Sequence, residues 1–152
     1  MELYTIGFTQ KSAKEFFETL KSAGINTLID VRLNNKSQLA GFAKGRDLPY
    51  FMREICGAVY KHEENFAPTK DLLDDWKNGK ISWQEYEQVY IKTMDRRKVA
   101  EIYGRKYLDD TLNGRVCFLC SEATPENCHR RLLAEYLREK MPELAYMGIN
   151  HL

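Results

Sequence analysis

Residues 3–31 read LYTIGFTQKSAKEFFETLKSAGINTLIDV, and a change of period within them decides the fold. Residues 3–7 form a short apolar run of the kind buried in a sheet. Ser12, with Glu15 three positions on, is a capping box that predicts a helix start. Ala13, Phe16, Phe17 and Leu20 then share one helical face, and Gly24 is placed to end it. Residues 26–31 predict a second strand. Strand, helix and strand within the first forty residues favour a parallel pair with a right-handed crossover.

The rest of the chain continues the alternation. Residues 33–46 are polar with two glycines and predict a long loop, a length that is often functional in compact domains. Asp47 predicts the cap of a short helix through Ile55 with Pro49 in its first turn, and residues 58–62 a third short strand. Helices are expected over 68–77, over 82–97, where Ser82 and Glu85 form a second capping box, and within 99–112. Trp83, Tyr86, Val89, Tyr90 and Met94 make a helical stripe that reads as core. Asn113-Gly114 then reads as a turn, and residues 115–120 are a buried-type strand. Thr124 as N-cap and Pro125 as first helical residue predict a helix to Lys140, with Leu132, Leu133, Tyr136 and Leu137 on its apolar face. Residues 144–149 predict a last strand. With no repeat or linker to divide it, the chain reads as a single α/β domain over 1–152: three layers, a mostly parallel central sheet, and helices on both faces. Pattern alone leaves the strand order open.

Composition narrows the function classes. A hydrophobic fraction of 43% and a charged fraction of 30% belong to globular proteins rather than disordered or membrane ones. The 23 basic and 22 acidic residues nearly cancel, so a broad basic footprint for nucleic acid is absent. Arg96-Arg97-Lys98 and Arg105-Lys106 lie among acidic neighbours and read as solvated helix surface. The N-terminus lacks the pattern of a signal peptide, and the apolar runs are too short to cross a bilayer. Four cysteines do not form a disulfide framework here, which points to a reducing, cytoplasmic setting without membrane partners. Cys56 and Cys117 read as core, and His151 as solvated.

In open α/β sheets ligands bind at the carboxyl ends of the strands. Parallel strands would bring residues 7–10, Asp30 with Arg32, His62 with Glu63, and residues 120–122 to one edge. The densest cluster is C-x-E-x-x-P-x-x-C-H-R, from Cys120 to Arg130. A helix start at Thr124 would offer free amides to an anion, with Arg32 and Arg130 adding bidentate contacts and Glu122 serving as base or orienting group. Cys128, beside His129 and Arg130, is expected to have a lowered pKa and to be the nucleophile candidate, with Cys120 next. Cys120, Cys128 and His129, with Glu122 or His62, are the ligands a zinc ion would take, although Cys128 and His129 should diverge on a helix. Asp30 and Arg32 should point to opposite faces of a regular strand, one toward the site and one into a structural pair, and a buried salt bridge explains the two about as well as a functional role does.

These motifs together are familiar. Thr5-Ile6-Gly7, Leu28-Ile29-Asp30-Val31-Arg32, Leu119-Cys120-Ser121-Glu122, Pro125 and Cys128-His129-Arg130 resemble the domain-of-unknown-function family 488 over nearly the whole chain. The resemblance implies a compact α/β domain of cytoplasmic, mostly prokaryotic proteins and implies no activity. It carries Thr5, Gly7, Asp30, Arg32, Cys120, Glu122, Cys128, His129 and Arg130 as motif positions. Phe8-Thr9 stands where the family usually has His-Ser, so a role needing that histidine is not expected here. Asp30-Val31-Arg32 also resembles a rhodanese strand end, but residues 120–122 do not reproduce the rhodanese cysteine loop.

The leading expectation is a pocket, enzyme-like, for a nucleotide or other phosphorylated small molecule. Glu122, Cys128, His129 and Asp30 are its catalytic candidates, and Thr5, Gly7, Arg32, Cys120, Thr124 and Arg130 its ligand-binding ones. No motif calls for a cofactor. Open alternatives are a non-catalytic nucleic-acid-binding or regulatory module, a metal or sulfur-transfer-like thiol site, and a motif that only builds a hydrogen-bonded turn. Homo-oligomers are compatible with all of these.

Overall fold

Five strands form one sheet in the computed structural model, which describes residues 1–36 and 40–152. They are β1 (Glu2–Gly7), β2 (Thr27–Asp30), β3 (Val59–His62), β4 (Val116–Cys120) and β5 (Gly148–His151). The order is β3-β2-β4-β1-β5 and every pairing is parallel, so all carboxyl ends share one edge. Cys120 ends β4 beside Gly7 of β1, and Asp30 ends β2 beside Leu119 and His62.

Helices cover both faces, as the buried strands require. On one face α1 (Ala13–Ser22) and the short α2 (Leu48–Phe51) pack Phe16, Phe17, Leu20 and Leu48 against Tyr4, Ile6, Leu28 and Leu119. On the other lie α3 (Lys70–Lys77), α4 (Trp83–Arg96), α5 (Val99–Asn113) and α6 (His129–Lys140). Their Tyr86, Tyr90, Tyr103, Leu133 and Leu137 meet Leu3, Ile29, Val116 and Phe118. Three layers result, as the sequence predicts.

Local chemistry explains most boundaries. Ser82 and Glu85 cap α4 reciprocally, whereas at α1 Ser12 accepts from the Glu15 amide in a single bond. Gly57, at φ 62°, ends the segment that begins at α2. That segment is not one helix to Ile55: it widens after Phe51 into a π-helical turn, Met52–Cys56. The last strand lies further on than predicted, because Pro142–Leu144 forms a 3-10 turn that buries Leu144 first.

The largest correction concerns α6. It starts at His129, not at Thr124, and residues 121–127 are loop. Arginines of the first helical turn reach back for the loop's carbonyls: Arg130 Nη1 donates to Glu122, and Arg131 to Pro125 and Glu126. The Cys128 amide donates to Pro125 at 3.3 Å. Side chains thus hold these carbonyls, and the Cys128–Pro125 bond closes a single turn rather than a helical ladder, so the segment curls instead of winding.

Candidate functional site

A cavity of about 420 Å³ opens where β2 and β4 end, on the face covered by α3, α4 and α6. Cys120, Ser121 and Glu122 after β4, and Cys128 with His129 at the start of α6, line one side. Arg32 to Asn34 supply a second side, and Trp76, Lys77, Trp83 and Tyr86 the wall opposite. Trp83 stacks on Tyr86 with ring centroids 4.4 Å apart at 14°, and Trp76 meets Trp83 edge-on at 5.1 Å. The stripe that read as core is core at Tyr86, Tyr90 and Met94, while Val89 is exposed; Trp83 packs against that core, and Trp83 and Tyr86 also line the cavity.

Asp30 and Arg32 do not point to opposite faces. The strand ends at Asp30, which frees Arg32 from the alternation, and its side chain folds back onto its neighbour. Nε donates to Oδ1 at 2.8 Å and Nη2 to Oδ2 at 2.6 Å, while the Arg32 amide donates to Oδ1 at 3.2 Å. Tyr60 donates to Oδ2 at 2.5 Å; burial and the adjoining carboxylate both push its phenol pKa up. Nη2 also donates to the Ala43 carbonyl at 2.7 Å. Phe8 lies under the guanidinium, 5.1 Å from ring centre to Cζ. Asp30 is thus spent on holding Arg32 and does not line the cavity, whereas Arg32 does. Arg32 Nη1, buried, has no hydrogen-bond partner among the described residues.

Cys120, Cys128 and His129 are buried, and their donor atoms all lie within 4.8 Å of one another. His129 Nε2 sits 2.7 Å from the Val31 carbonyl, and Cys120 Sγ lies 3.7 Å from Nδ1 and 3.8 Å from Nε2. Adjacent in sequence, Cys128 and His129 still converge because Cys128 precedes the helix in extended conformation (φ −136°, ψ 136°). The thiol order reverses the sequence expectation. Burial pushes Cys128 well above the ordinary thiol range, outweighing His129 and Arg130. Cys120 is drawn down, first by the hydrogen bond from Cys128 and then by the Ser121 and Glu122 amides, against its own burial. Neither Glu122 nor His62 joins the cluster: Glu122 is exposed at the rim, and His62 Nε2 meets the Arg32 carbonyl at 2.7 Å.

Arg130, Thr5, Gly7 and Thr124 lie away from the cavity lining. Arg130 is fully buried, with Nε donating to Thr5 Oγ1 at 3.2 Å and Nη1 to the Glu122 carbonyl. Nη1 also approaches Cys128 Sγ at 3.7 Å. This arginine clamps the motif loop to β1, and Thr9 adds a second stitch through Oγ1 to the Ser121 carbonyl at 2.5 Å. Helices α1 and α6 leave adjacent strands β1 and β4 toward opposite faces, the arrangement that usually opens a ligand crevice. Here the clamp fills it, and the cavity lies one strand over. A Cβ on Gly7 would overlap the Glu122 carbonyl backbone and press on Arg130 Nη1. Gly7→Ala should therefore cost about 1–3 kcal/mol, toward the upper end because backbone must move. Urea unfolding checks this, and an unchanged midpoint would contradict it.

Other sequence candidates have structural partners. Glu63 accepts from Lys106 at 2.8 Å and Tyr107 at 2.6 Å. Arg97, read as solvated, donates to the Asn65 and Ala67 carbonyls. His151 is exposed, yet its Nδ1 lies 2.6 Å from Thr5 Oγ1. Within the expected loop, Ser37, Gln38 and Leu39 lie outside the described residues. Sequence reasoning missed Trp76, Lys77 and the wall role of Trp83 and Tyr86; their only signal was aromatic density between two helices.

A family model described as "Domain of unknown function DUF488" matches residues 12–137. No curated protein and no solved structure shows significant similarity to the chain. Among the described residues no helix is long and apolar enough to cross a membrane.

Proposed function

Since the chain belongs to the DUF488 family of domains of unknown function, its role has to come from its own site, and we propose that the cavity binds an anionic, planar small molecule of the nucleotide class. One observation carries this reading. Among the described residues three buried side-chain nitrogens lack a partner, and two of them, Arg32 Nη1 and Trp83 Nε1, belong to residues that line the cavity. A buried donor left unmade costs about 1–3 kcal/mol, so an acceptor that enters and meets it binds with that penalty relieved. A phosphate oxygen on Arg32 makes a charge-assisted bond. Lys77 adds a second cation to the lining.

The aromatic wall suits the other half of such a ligand. A flat ring laid on Trp76 or Trp83 gains about 1–3 kcal/mol, the magnitude seen for bases on aromatic side chains. Glu122 at the rim is the group placed to exchange a proton with the bound molecule. The reading includes a reducing, cytoplasmic setting, supported by Cys120 and Cys128 standing together as free thiols.

Arg32→Lys tests it, because lysine keeps a cation beside Asp30 while removing the guanidinium fork. Calorimetry with inorganic phosphate and with a nucleoside monophosphate should show binding to the natural protein that weakens about 10- to 100-fold in the variant. Equal affinity in the two proteins would sink the proposal.

A further inference from the structure

We infer that Cys120, Cys128 and His129 form a binding site for a soft divalent metal ion of the zinc class. The inference does not depend on the nucleotide reading. Two thiols and an imidazole are the donor set that zinc prefers, and three protein ligands leave it a further position. The donor atoms are already gathered: all lie within 4.8 Å of one another. Bonds of about 2.3 Å to sulfur and 2.0 Å to nitrogen, at a tetrahedral angle, separate the two donors by about 3.5 Å. Cys120 Sγ and His129 Nδ1 stand 3.7 Å apart, close to that edge.

The surroundings fit as well as the donors. A carbonyl oxygen only accepts, so the 2.7 Å contact with Val31 engages His129 through Nε2–H and leaves Nδ1 as the nitrogen a metal would take. A ligating histidine is commonly held this way through its other nitrogen. Arg130 Nη1, 3.7 Å from Cys128 Sγ, offers a cationic N–H to a thiolate there. All three residues line the cavity, so the ion's remaining position turns toward it, as in sites where a metal meets water or substrate. Binding would release the thiol protons, as thiolate coordination requires.

Cobalt(II) is the probe, added to reduced, metal-stripped protein. Saturable binding of one ion per chain is expected, with thiolate-to-cobalt charge-transfer absorption, the visible bands of tetrahedral cobalt, and loss of both on adding zinc(II). Cys128→Ser and His129→Gln should each weaken binding by about 100-fold or more, at least the loss seen when outer partners of a metal site are removed. Cys56→Ser, on the opposite face, should leave the spectrum unchanged. Absence of the charge-transfer band in the natural protein, or its survival in both ligand variants, would overturn the inference. Should Cys128→Ser fail to fold, alkylation of the natural protein decides. Zinc should protect Cys120 and Cys128 but not Cys56 in peptide mass spectrometry, and unchanged labelling of the pair would overturn it equally.

Discussion

Asp30→Ala is expected to lower the unfolding free energy by about 3–5 kcal/mol, the range seen when one partner of a buried ion pair is removed. Asp30 is fully buried and Arg32 is 3% exposed, so water cannot take over the lost contacts. The carboxylate accepts from the Arg32 amide, Nε and Nη2 and from the Tyr60 hydroxyl. Its loss strands a guanidinium in a site of low dielectric where, among the described residues, the Ala43 carbonyl is the hydrogen-bond acceptor that remains. Against a typical total of 5–15 kcal/mol, that is a large fraction of the stability. Asp30→Ala combined with Arg32→Met should be less destabilising than Asp30→Ala alone, because no buried charge is then left over. Chemical unfolding of the single and double variants measures both, and a loss below about 1 kcal/mol for Asp30→Ala would show that the pair is not the anchor described.

Arg130→Met should cost about 2–4 kcal/mol and should act mainly on one loop. The Glu122 carbonyl loses the donor that holds it, at about 1–3 kcal/mol for an acceptor left bare, and the Thr5 hydroxyl loses one of two partners, keeping His151. Methionine fills part of the volume, so the effect comes from hydrogen bonds more than from an empty space. Amide hydrogen exchange should accelerate in residues 121–127 well beyond the rest of the sheet edge. Uniform acceleration across the fold would mean that Arg130 acts as general core rather than as a clamp.

The fold was legible where one periodicity dominates. Residues 3–7, 13–22 and 116–120 bury one face or one continuous run, and nothing competes with that pattern. It failed at residues 124–128 because side chains win there: Arg131 takes the Pro125 and Glu126 carbonyls that a helix from Thr124 would use, and Arg130 holds the Glu122 carbonyl just before it. Thr124-Pro125 is a sound helix start on propensity, and the arginines override it. The Asp30–Arg32 salt bridge stood among the sequence readings, but its fold-back geometry did not, since alternation predicts opposite faces only while the strand continues.

The motif was legible as a group but not in its division of labour. One string of residues, from Cys120 to Arg130, splits into a part that faces the cavity and a part that locks the loop behind it. Spacing cannot show that split, because it depends on which side of β4 each residue reaches. The thiol order was equally hidden. Proximity of Cys128 to His129 and Arg130 argues for a low pKa, but its burial outweighs them, and the turn amides of residues 121 and 122 favour Cys120 instead. The cavity's far wall comes from α3 and α4, more than thirty residues away in sequence, and only the folded chain brings it opposite the cysteines.

The chain has two tryptophans, Trp76 and Trp83, and both line the cavity, so tryptophan emission, excited where tyrosine does not absorb, reports on this site. Titration with a nucleoside monophosphate should change tryptophan emission saturably, and Arg32→Lys should shift the curve to higher concentration by about 10-fold or more. Emission that stays unchanged with both a nucleoside monophosphate and inorganic phosphate, up to millimolar concentrations, would contradict the cavity as an anion site.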